Sequence, residues 1–249
     1  MNVNEILNQI KAIFTRTLQS KLTGIYLHGS LAFGCFTWEN SDIDFLAVVN
    51  AELTHHEKTA IIKSLLELNR QAPPKGIEMS IVSEDHCRNF TYPTPFLLHF
   101  SNAHKAACEK DIDAFCRTMN GTDKDLAAHF TVTCTAGITL CGKPINEIFS
   151  EIPKEHYLDS IKQDIENAET EIAENPVYTT LNLCRTLAYL KENLILSKKQ
   201  GGEWALHNLP PEYRPVISSA LQEYSAQEKT TYNNTQLLTF ARFMQNQIL

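Results

Sequence analysis

The sequence lacks the features that mark membrane proteins and disulfide-rich secreted proteins. Its 249 residues contain no run of about 18 apolar residues, so we expect no membrane-spanning helix. The N-terminal segment has neither the basic start nor the small-residue cleavage site of a signal peptide. The seven cysteines are an odd number and form no CxxC pair, which disfavours a disulfide framework and a zinc site. These absences predict a cytoplasmic protein with reduced thiols.

Positive charge is also scarce. The chain has 22 Lys and Arg against 29 Asp and Glu, a formal net charge of −7. Binding to a phosphate backbone needs a basic surface, so a nucleic-acid partner is disfavoured, and the acidic surplus mildly favours a cationic ligand. The sequence shows no internal repeat. It also has no obvious coiled-coil seam, which is one of two grounds for expecting a monomer; the other is the resemblance of its motifs to a known family.

The first half of the chain alternates between helical and strand patterns. Apolar periodicity predicts helices over 2–21 and 54–71, with a short helix near Ser30 to Phe36. Runs rich in branched apolar residues predict the strands Leu22–Leu27, Ile43–Val49 and Ile77–Val82. An α-β-α-β-α-β order is typical of a small α/β (α+β) domain. We expect this domain over residues 1–150.

The second half has helical patterns throughout. The predicted helices are Asp125–Leu140, Pro153–Glu174, Val177–Leu196 and Pro211–Glu223. Gly201-Gly202 and Leu209-Pro210-Pro211 predict loops. We therefore expect an all-α helical bundle over residues 151–249.

Two aspartates at the start of a predicted strand carry the most specific chemical signal. Asp42 and Asp44 flank Ile43, and alternate strand residues point to the same face, so the two carboxylates project together. Adjacent carboxylates repel each other unless a cation lies between them, and Mg²⁺ prefers such oxygen ligands. Asp111-Ile112-Asp113 has the same spacing, but no apolar strand follows it, which predicts a solvated loop there.

Upstream of the aspartates, Gly29-Ser30 ends the first predicted strand. Glycine lets the backbone approach a ligand closely, and a helix that starts there directs free N–H groups at phosphates. The chain has no GxxxxGK[ST] loop, which excludes a P-loop site. Glu78 on the third predicted strand supplies a third carboxylate if the strands are neighbours; it could bind metal or accept a proton. The alternative for Glu78 is an exposed strand residue.

The order strand, Gly-Ser, loop, DxD and strand resembles the nucleotidyltransferase superfamily, and further motifs resemble the bacterial aminoglycoside adenylyltransferases of the streptomycin and spectinomycin class. The segments that carry this closer resemblance are Tyr92-Pro93, Asp125-Leu126-Ala127, Leu140-Cys141-Gly142-Lys143-Pro144, Leu183-Cys184-Arg185, Ser197-Lys198-Lys199, Glu203-Trp204-Ala205-Leu206 and Leu209-Pro210. They keep the family's order over nearly the whole chain. The resemblance implies a nucleotidyltransferase domain with a small mixed sheet, followed by a helical domain.

The same resemblance implies transfer of AMP from ATP to a hydroxyl of an aminoglycoside or aminocyclitol, in a cleft between the two domains. Asp42 and Asp44 would hold Mg²⁺, and Glu78 would act as general base and metal ligand. The implied ATP-binding residues are Gly29, Ser30, Ser41, Arg185 and Lys198. The alternative for Arg185 is a structural ion pair, and for Lys198 a place on the surface.

Two departures from the family pattern bear on the acceptor. The streptomycin-acting members carry tryptophans where this chain has Phe100-Ser101-Asn102-Ala103 and Glu174-Asn175-Pro176-Val177. Spectinomycin is therefore favoured over streptomycin as the small cationic acceptor. Two other functions remain open: transfer to a different small molecule or to a protein, and nucleotide binding by a regulator that does not catalyse.

Overall fold

The computed structural model describes residues 1–226 and 229–248, which fold into two compact units, Met1–His156 and Tyr157–Leu249. The predicted division after residue 150 lies a few residues before this boundary. Across the described ranges, no helix combines the length and the apolar character needed to cross a bilayer.

The first unit contains all the strands of the described chain. They are β1 (Leu22–Leu27), β2 (Ile43–Val49), β3 (Ile77–Ser83), β4 (Thr94–Phe96), β5 (Leu98–Phe100), β6 (Gly121–Asp123) and β7 (Ile138–Gly142). Five of them form a mixed sheet in the order β5-β3-β2-β1-β7, and β4 pairs with β6 separately. Only β2 and β3 are parallel among these pairs; the others are antiparallel.

Eight helices accompany the strands in this part of the chain. They are α1 (Val3–Leu18), α2 (Gly29–Ala32), α3 (His55–Asn69), α4 (Glu84–Arg88), α5 (Lys105–Lys110), α6 (Ile112–Thr118), α7 (Leu126–Ala136) and α8 (Ile145–Ile148). Helices α1 and α3 each begin with a capping box, at Asn2 and Thr54, that satisfies free N–H groups of the first turn.

The core of this unit lies against one face of the sheet. Fully buried side chains of α1 and α3 pack with alternate residues of β2, and the ring of Phe14 meets that of Phe45 edge-on at 5.4 Å between centroids. Asp44 alternates with Ile43 and Phe45, so its side chain leaves the sheet on the opposite face. The apolar pattern of β2 therefore aims its carboxylate away from the α1 and α3 side.

The second unit is entirely helical within residues 157–226 and 229–248. Its elements are α9 (Lys154–Gln163, which starts just before the boundary), α10 (Ala168–Glu171), α11 (Pro176–Glu192), α12 (Lys198–Asn208), α13 (Arg214–Ala226) and α14 (Asn234–Ile248). Buried side chains of α11 such as Leu183 and Leu187 share one core with Ile217, Phe240 and Met244. The predicted helical bundle is thus present.

The structure corrects four sequence expectations, of which the first three concern helix boundaries. The helix predicted over Asp125–Leu140 ends at Ala136, and Ile138 begins β7, which pairs with β1. The helix predicted over Pro153–Glu174 is interrupted after Gln163. Asp111-Ile112-Asp113 is a helix start instead of a solvated loop, because the Asp111 side chain accepts a hydrogen bond from the Ala114 amide at 2.9 Å.

The loop predicted at Gly201-Gly202 is also wrong, since both glycines lie inside α12. A side chain at Gly201 would lie 2.8 Å from the backbone of Arg185 on α11, and one at Gly202 would meet Leu221 and Leu181 at 2.7 and 2.8 Å. The glycines therefore let α12 approach its neighbours closely. Packing outweighs their low intrinsic preference for helix.

Candidate active site

Three carboxylates meet at the start of two adjoining strands. Asp42 directly precedes β2, Asp44 is the second residue of β2, and Glu78 is the second residue of β3. Asp44 and Glu78 are direct partners in the parallel register of the two strands. One oxygen from each of the three carboxylates lies within 4.8 Å of the others, and all three side chains are partly exposed. The predicted carboxylates are thus neighbours in the folded chain.

The pairing register of β2 and β3 brings these acids together. Ile43 and Ile77 also pair with each other, and both are fully buried. A shift of one residue would turn the carboxylates into the apolar core, at a prohibitive cost in desolvation. The burial of the isoleucines therefore fixes Asp44 opposite Glu78.

The donor set fits a divalent cation. Three charged carboxylates so close to one another repel, and a hard cation such as Mg²⁺ relieves the repulsion through oxygen ligands. Residues 1–226 and 229–248 contain no second group of three acidic, histidine or cysteine side chains with this spacing. Asp113, from the rival DxD segment, instead pairs with His55 at 3.0 Å on the surface.

Gly29 places the turn after β1 directly against this cluster. Its φ is +60°, a left-handed conformation that residues with a side chain rarely adopt, and a β-carbon there would collide with the Asp44 carboxylate. The backbone amide of His28 donates a hydrogen bond to the backbone oxygen of Asp44 at 3.1 Å. Both the backbone conformation and the contact with Asp44 therefore favour glycine at position 29.

The two predicted serines differ in their surroundings. The Ser30 hydroxyl oxygen is buried and has no hydrogen-bond partner among the described residues, so it can serve a ligand. Ser41 is 2% exposed, and its hydroxyl accepts a hydrogen bond from the Thr37 amide at 3.1 Å. Its own amide donates to the Thr37 carbonyl at 3.0 Å. Ser41 thus holds the loop that leads into Asp42, and its phosphate contact stays a prediction.

A pair of histidines near the carboxylates was not predicted from the sequence. The imidazole of His129, on α7, lies 3.1 Å from the Asp125 carboxylate, and its ring centroid is 4.5 Å from that of His28. Burial lowers the pKa of His129, but the charge and hydrogen bond of Asp125, aided by Glu78 and Asp44, raise that pKa to about 10. Burial and the neighbouring His129 lower the pKa of His28 well below its ordinary value.

The raised pKa of His129 favours its charged form near the carboxylate cluster, where it pairs with Asp125 and its ring is tilted by 34° against that of His28. The one signal in the sequence was the spacing of Asp125 and His129, four residues apart on a predicted helix, which places both on one face. Such pairs are common on solvated helices, and only the tertiary structure distinguishes this one.

The remaining two predicted ATP ligands lie in the second unit. Arg185, on α11, pairs with Asp164 at 2.8 Å, and both side chains are about one-fifth exposed. Lys198 is the first residue of α12, and its ammonium lies 4.7 Å from the centroid of the Tyr178 ring. The structural ion pair considered for Arg185 therefore exists, and both cations are held by neighbours on their own unit.

Comparison with known proteins gives a consistent family. Residues 147–247 match the sequence profile described as "Aminoglycoside adenylyltransferase, C-terminal domain". The chain is 26% identical over 253 residues to an aminoglycoside (3'') (9) adenylyltransferase from Klebsiella pneumoniae, covering 99% of this chain and 95% of the relative. It is 23% identical over 230 residues to a spectinomycin 9-adenylyltransferase from Campylobacter jejuni, covering 90% of this chain and 87% of that relative.

A solved structure has the same fold. It is the crystal structure of a spectinomycin adenyltransferase from Enterococcus faecalis with ATP and spectinomycin, which is similar to this chain with a TM-score of 0.84 at 20% identity over 99% of both chains. The predicted fold class, an α/β domain with a small mixed sheet followed by an all-α helical domain, is thereby confirmed. The resemblance indicated by the sequence motifs is likewise confirmed: the chain is similar to aminoglycoside adenylyltransferases along almost its whole length, and residues 147–247 match the profile of their C-terminal domain.

Proposed function

We propose that this protein transfers AMP from ATP to a hydroxyl group of an aminocyclitol or aminoglycoside antibiotic and releases pyrophosphate. The observation that carries the proposal is the carboxylate cluster of Asp42, Asp44 and Glu78, in a chain similar to adenylyltransferases over 99% of its length. Spectinomycin is favoured over streptomycin, because the tryptophans of streptomycin-acting members are missing from residues 100–103 and 174–177.

Glu78 is the proposed general base. In the proposed step it accepts the proton of the acceptor hydroxyl while that oxygen forms a bond to the α-phosphorus of ATP. The bond between the α-phosphorus and the bridging oxygen breaks, and pyrophosphate leaves with the electron pair. The Ser30 hydroxyl, buried without a partner among the described residues, donates to a phosphate oxygen.

Asp42, Asp44 and Glu78 would hold Mg²⁺, which when bound would neutralise phosphate charge and orient the triphosphate. Gly29 keeps the backbone close enough to Asp44 for the α2 turn to face the same phosphates. Arg185, Lys198 and Ser41 remain proposed ATP ligands. A cytoplasmic monomer, as expected from the sequence, fits an enzyme that consumes ATP.

The proposal is tested by measuring pyrophosphate release from ATP with purified protein and a panel of spectinomycin, streptomycin and other aminoglycosides, with and without Mg²⁺. We expect release with spectinomycin, less or none with streptomycin, and none after chelation of the metal. Release that persists in excess chelator would refute the metal role of the cluster.

The panel also separates the two other functions that the sequence leaves open. Absence of pyrophosphate release with every antibiotic, together with AMP added to a protein, would replace the acceptor and keep the site. Tight ATP binding with no transfer to any acceptor would instead favour a regulator.

A further inference from the structure

A carboxylate in the second unit contacts one cationic side chain directly and a second one through an aromatic ring. Asp164, directly after α9, accepts a hydrogen bond from Arg185 through one oxygen at 2.8 Å and from the Tyr178 hydroxyl through the other at 3.3 Å. The face of the Tyr178 ring meets the Lys198 ammonium at 4.7 Å from the centroid. The four side chains come from the end of α9, from α11 and from the first turn of α12.

The backbone beneath these contacts is closely fixed. Ser197 caps α12 through a reciprocal capping box with Gln200, which sets the direction in which Lys198 leaves the helix. Gly201, three residues further on, lets α12 lie against the backbone of Arg185. Lys198 and Arg185 are therefore carried on two helices that lie in close contact.

Tyr178 is one of the large side chains that lie exposed at the surface, with a relative exposure of 41%. An exposed tyrosine contributes little to a helical core, so packing alone does not account for it. Its hydroxyl and its ring face are both occupied by charged groups. The hydrogen bond that the Tyr178 hydroxyl donates to the Asp164 carboxylate enriches the ring in electron density, which strengthens its attraction for the lysine cation.

We propose that Tyr178 is a positioning residue for Lys198, and that Asp164 ties this lysine to Arg185 so that the two cations are presented together to a polyphosphate. The inference rests on the proposed function, in which both cations bind the triphosphate of ATP. It adds a residue that touches neither phosphate nor acceptor and acts through the lysine. Lysine carries four flexible carbons, and the ring restricts this freedom before the nucleotide arrives.

The test compares Tyr178→Leu with Tyr178→Phe by titrating Mg·ATP calorimetrically into the intact protein. Phenylalanine keeps the ring face and loses the hydroxyl, whereas leucine loses both. The leucine variant should raise the dissociation constant for ATP by about two- to fivefold, whereas the phenylalanine variant should keep most of the wild-type affinity. The KM for the antibiotic acceptor should not change in either variant, because only the nucleotide side is affected.

A double-mutant cycle with Lys198→Met isolates the contact between the two residues. Once the ammonium is gone, Tyr178→Leu should have no further effect on ATP affinity, since the ring acts only through the lysine. An equal effect of leucine in both backgrounds would overturn the inference and point to direct binding by the ring or to a loss of helix packing.

The failure of this inference can be told apart from the failure of the proposed function. If the wild-type protein binds ATP and both the leucine and the phenylalanine variants bind it as tightly as the wild type, the positioning role is refuted and the proposed function stands. If wild-type protein binds no ATP, both fall together. Reductive ¹³C-methylation of the lysines provides a separate check of geometry, because the Lys198 methyl signal should carry a ring-current shift that leucine abolishes and phenylalanine keeps.

Discussion

Asp44 and Glu78 stand directly opposite each other in the parallel register of β2 and β3, and Asp42 completes a cluster whose carboxylate oxygens lie within 4.8 Å of one another. The register depends on fully buried isoleucines at positions 43 and 77. The same strands thus build the apolar core and the acidic cluster, one on each face. The geometry of the acidic cluster therefore depends on the correct pairing of β2 with β3.

Replacing Asp44 by Asn removes one charge from the cluster with little change in shape. We expect kcat for AMP transfer to fall by about 100-fold or more, because a metal held by the cluster contributes several kcal/mol to the transition state. The thermal midpoint of unfolding should remain close to that of the wild type. Asp113→Asn, in the surface DxD segment, is the matched control and should retain full turnover. Equal turnover in the two variants would remove the cluster from the mechanism.

Gly29→Ala tests whether the turn must lie against Asp44. The matched control is Gly34→Ala, since both glycines have positive φ, +60° and +67°, but only at Gly29 would the new β-carbon collide with the Asp44 carboxylate. Both variants should lose about 1–2 kcal/mol of stability through left-handed strain. Only Gly29→Ala should lose activity, on the order of 100-fold, through displacement of the carboxylate. Similar activities of the two alanine variants would show that the contact is not needed.

Glu84 gives the first unit a pH-dependent contribution to stability. The hydrogen bond from Thr23 at 2.7 Å, together with Arg88 and Lys143, lowers the Glu84 pKa from 4.5 to about 2, against the effect of burial. Because the folded pKa lies below the unfolded one, this stability is present above pH 4.5 and is lost as pH falls towards 2.

The measurement is urea unfolding of wild type and Glu84→Gln across this pH range. The gap in the free energy of unfolding between the two proteins should narrow as the solution becomes more acidic. Glu67→Gln removes an exposed glutamate paired only at the surface with Arg70, and it should show little gap at any pH. A Glu84 gap that stays constant down to pH 3 would contradict the assignment.

Gly201→Ala tests the close approach of α11 and α12. A β-carbon there would lie 2.8 Å from the Arg185 backbone, so the helices must separate, and overpacking of this kind costs about 1–3 kcal/mol. Gly121→Ala is the control, because its β-carbon would meet the Phe96 ring at an ordinary 3.7 Å. Chemical denaturation should show a loss for Gly201→Ala and about 0.5 kcal/mol or less for Gly121→Ala. If Gly201→Ala were as stable as the wild type, the helices could move apart at little energetic cost, and the close approach would not be needed.

The strands β1 and β2 and the start of β3 were predictable because their side-chain patterns are local. Ile43–Val49 is a continuous run of apolar and branched residues apart from Asp44, and such a run is a strand signal in any context. Ile138–Gly142 was not predictable, since its strand state comes from pairing with β1, more than a hundred residues away in sequence. Gly201 lies within a helix because of its neighbour Arg185, and local preference carries no information about neighbours.

The candidate site divides in the same way. The DxD spacing and the strand position of Glu78 allowed the carboxylate cluster to be predicted, because strand periodicity alone places those side chains. The contacts of His129 with His28, and of Tyr178 with Lys198, depend on tertiary packing that no local pattern encodes. Electrostatic neighbours of a site are therefore found only once the fold is known.

The central claim is that this chain adds AMP to an antibiotic hydroxyl, and mass spectrometry of the acceptor tests it most directly. Spectinomycin is incubated with Mg·ATP and either wild-type protein or Asp44→Asn. The account predicts that spectinomycin gains the mass of one adenylyl group with the wild type and remains unmodified with the variant. Unmodified spectinomycin after incubation with well-folded wild-type protein would contradict the proposed acceptor, and modification by both proteins would contradict the assigned site.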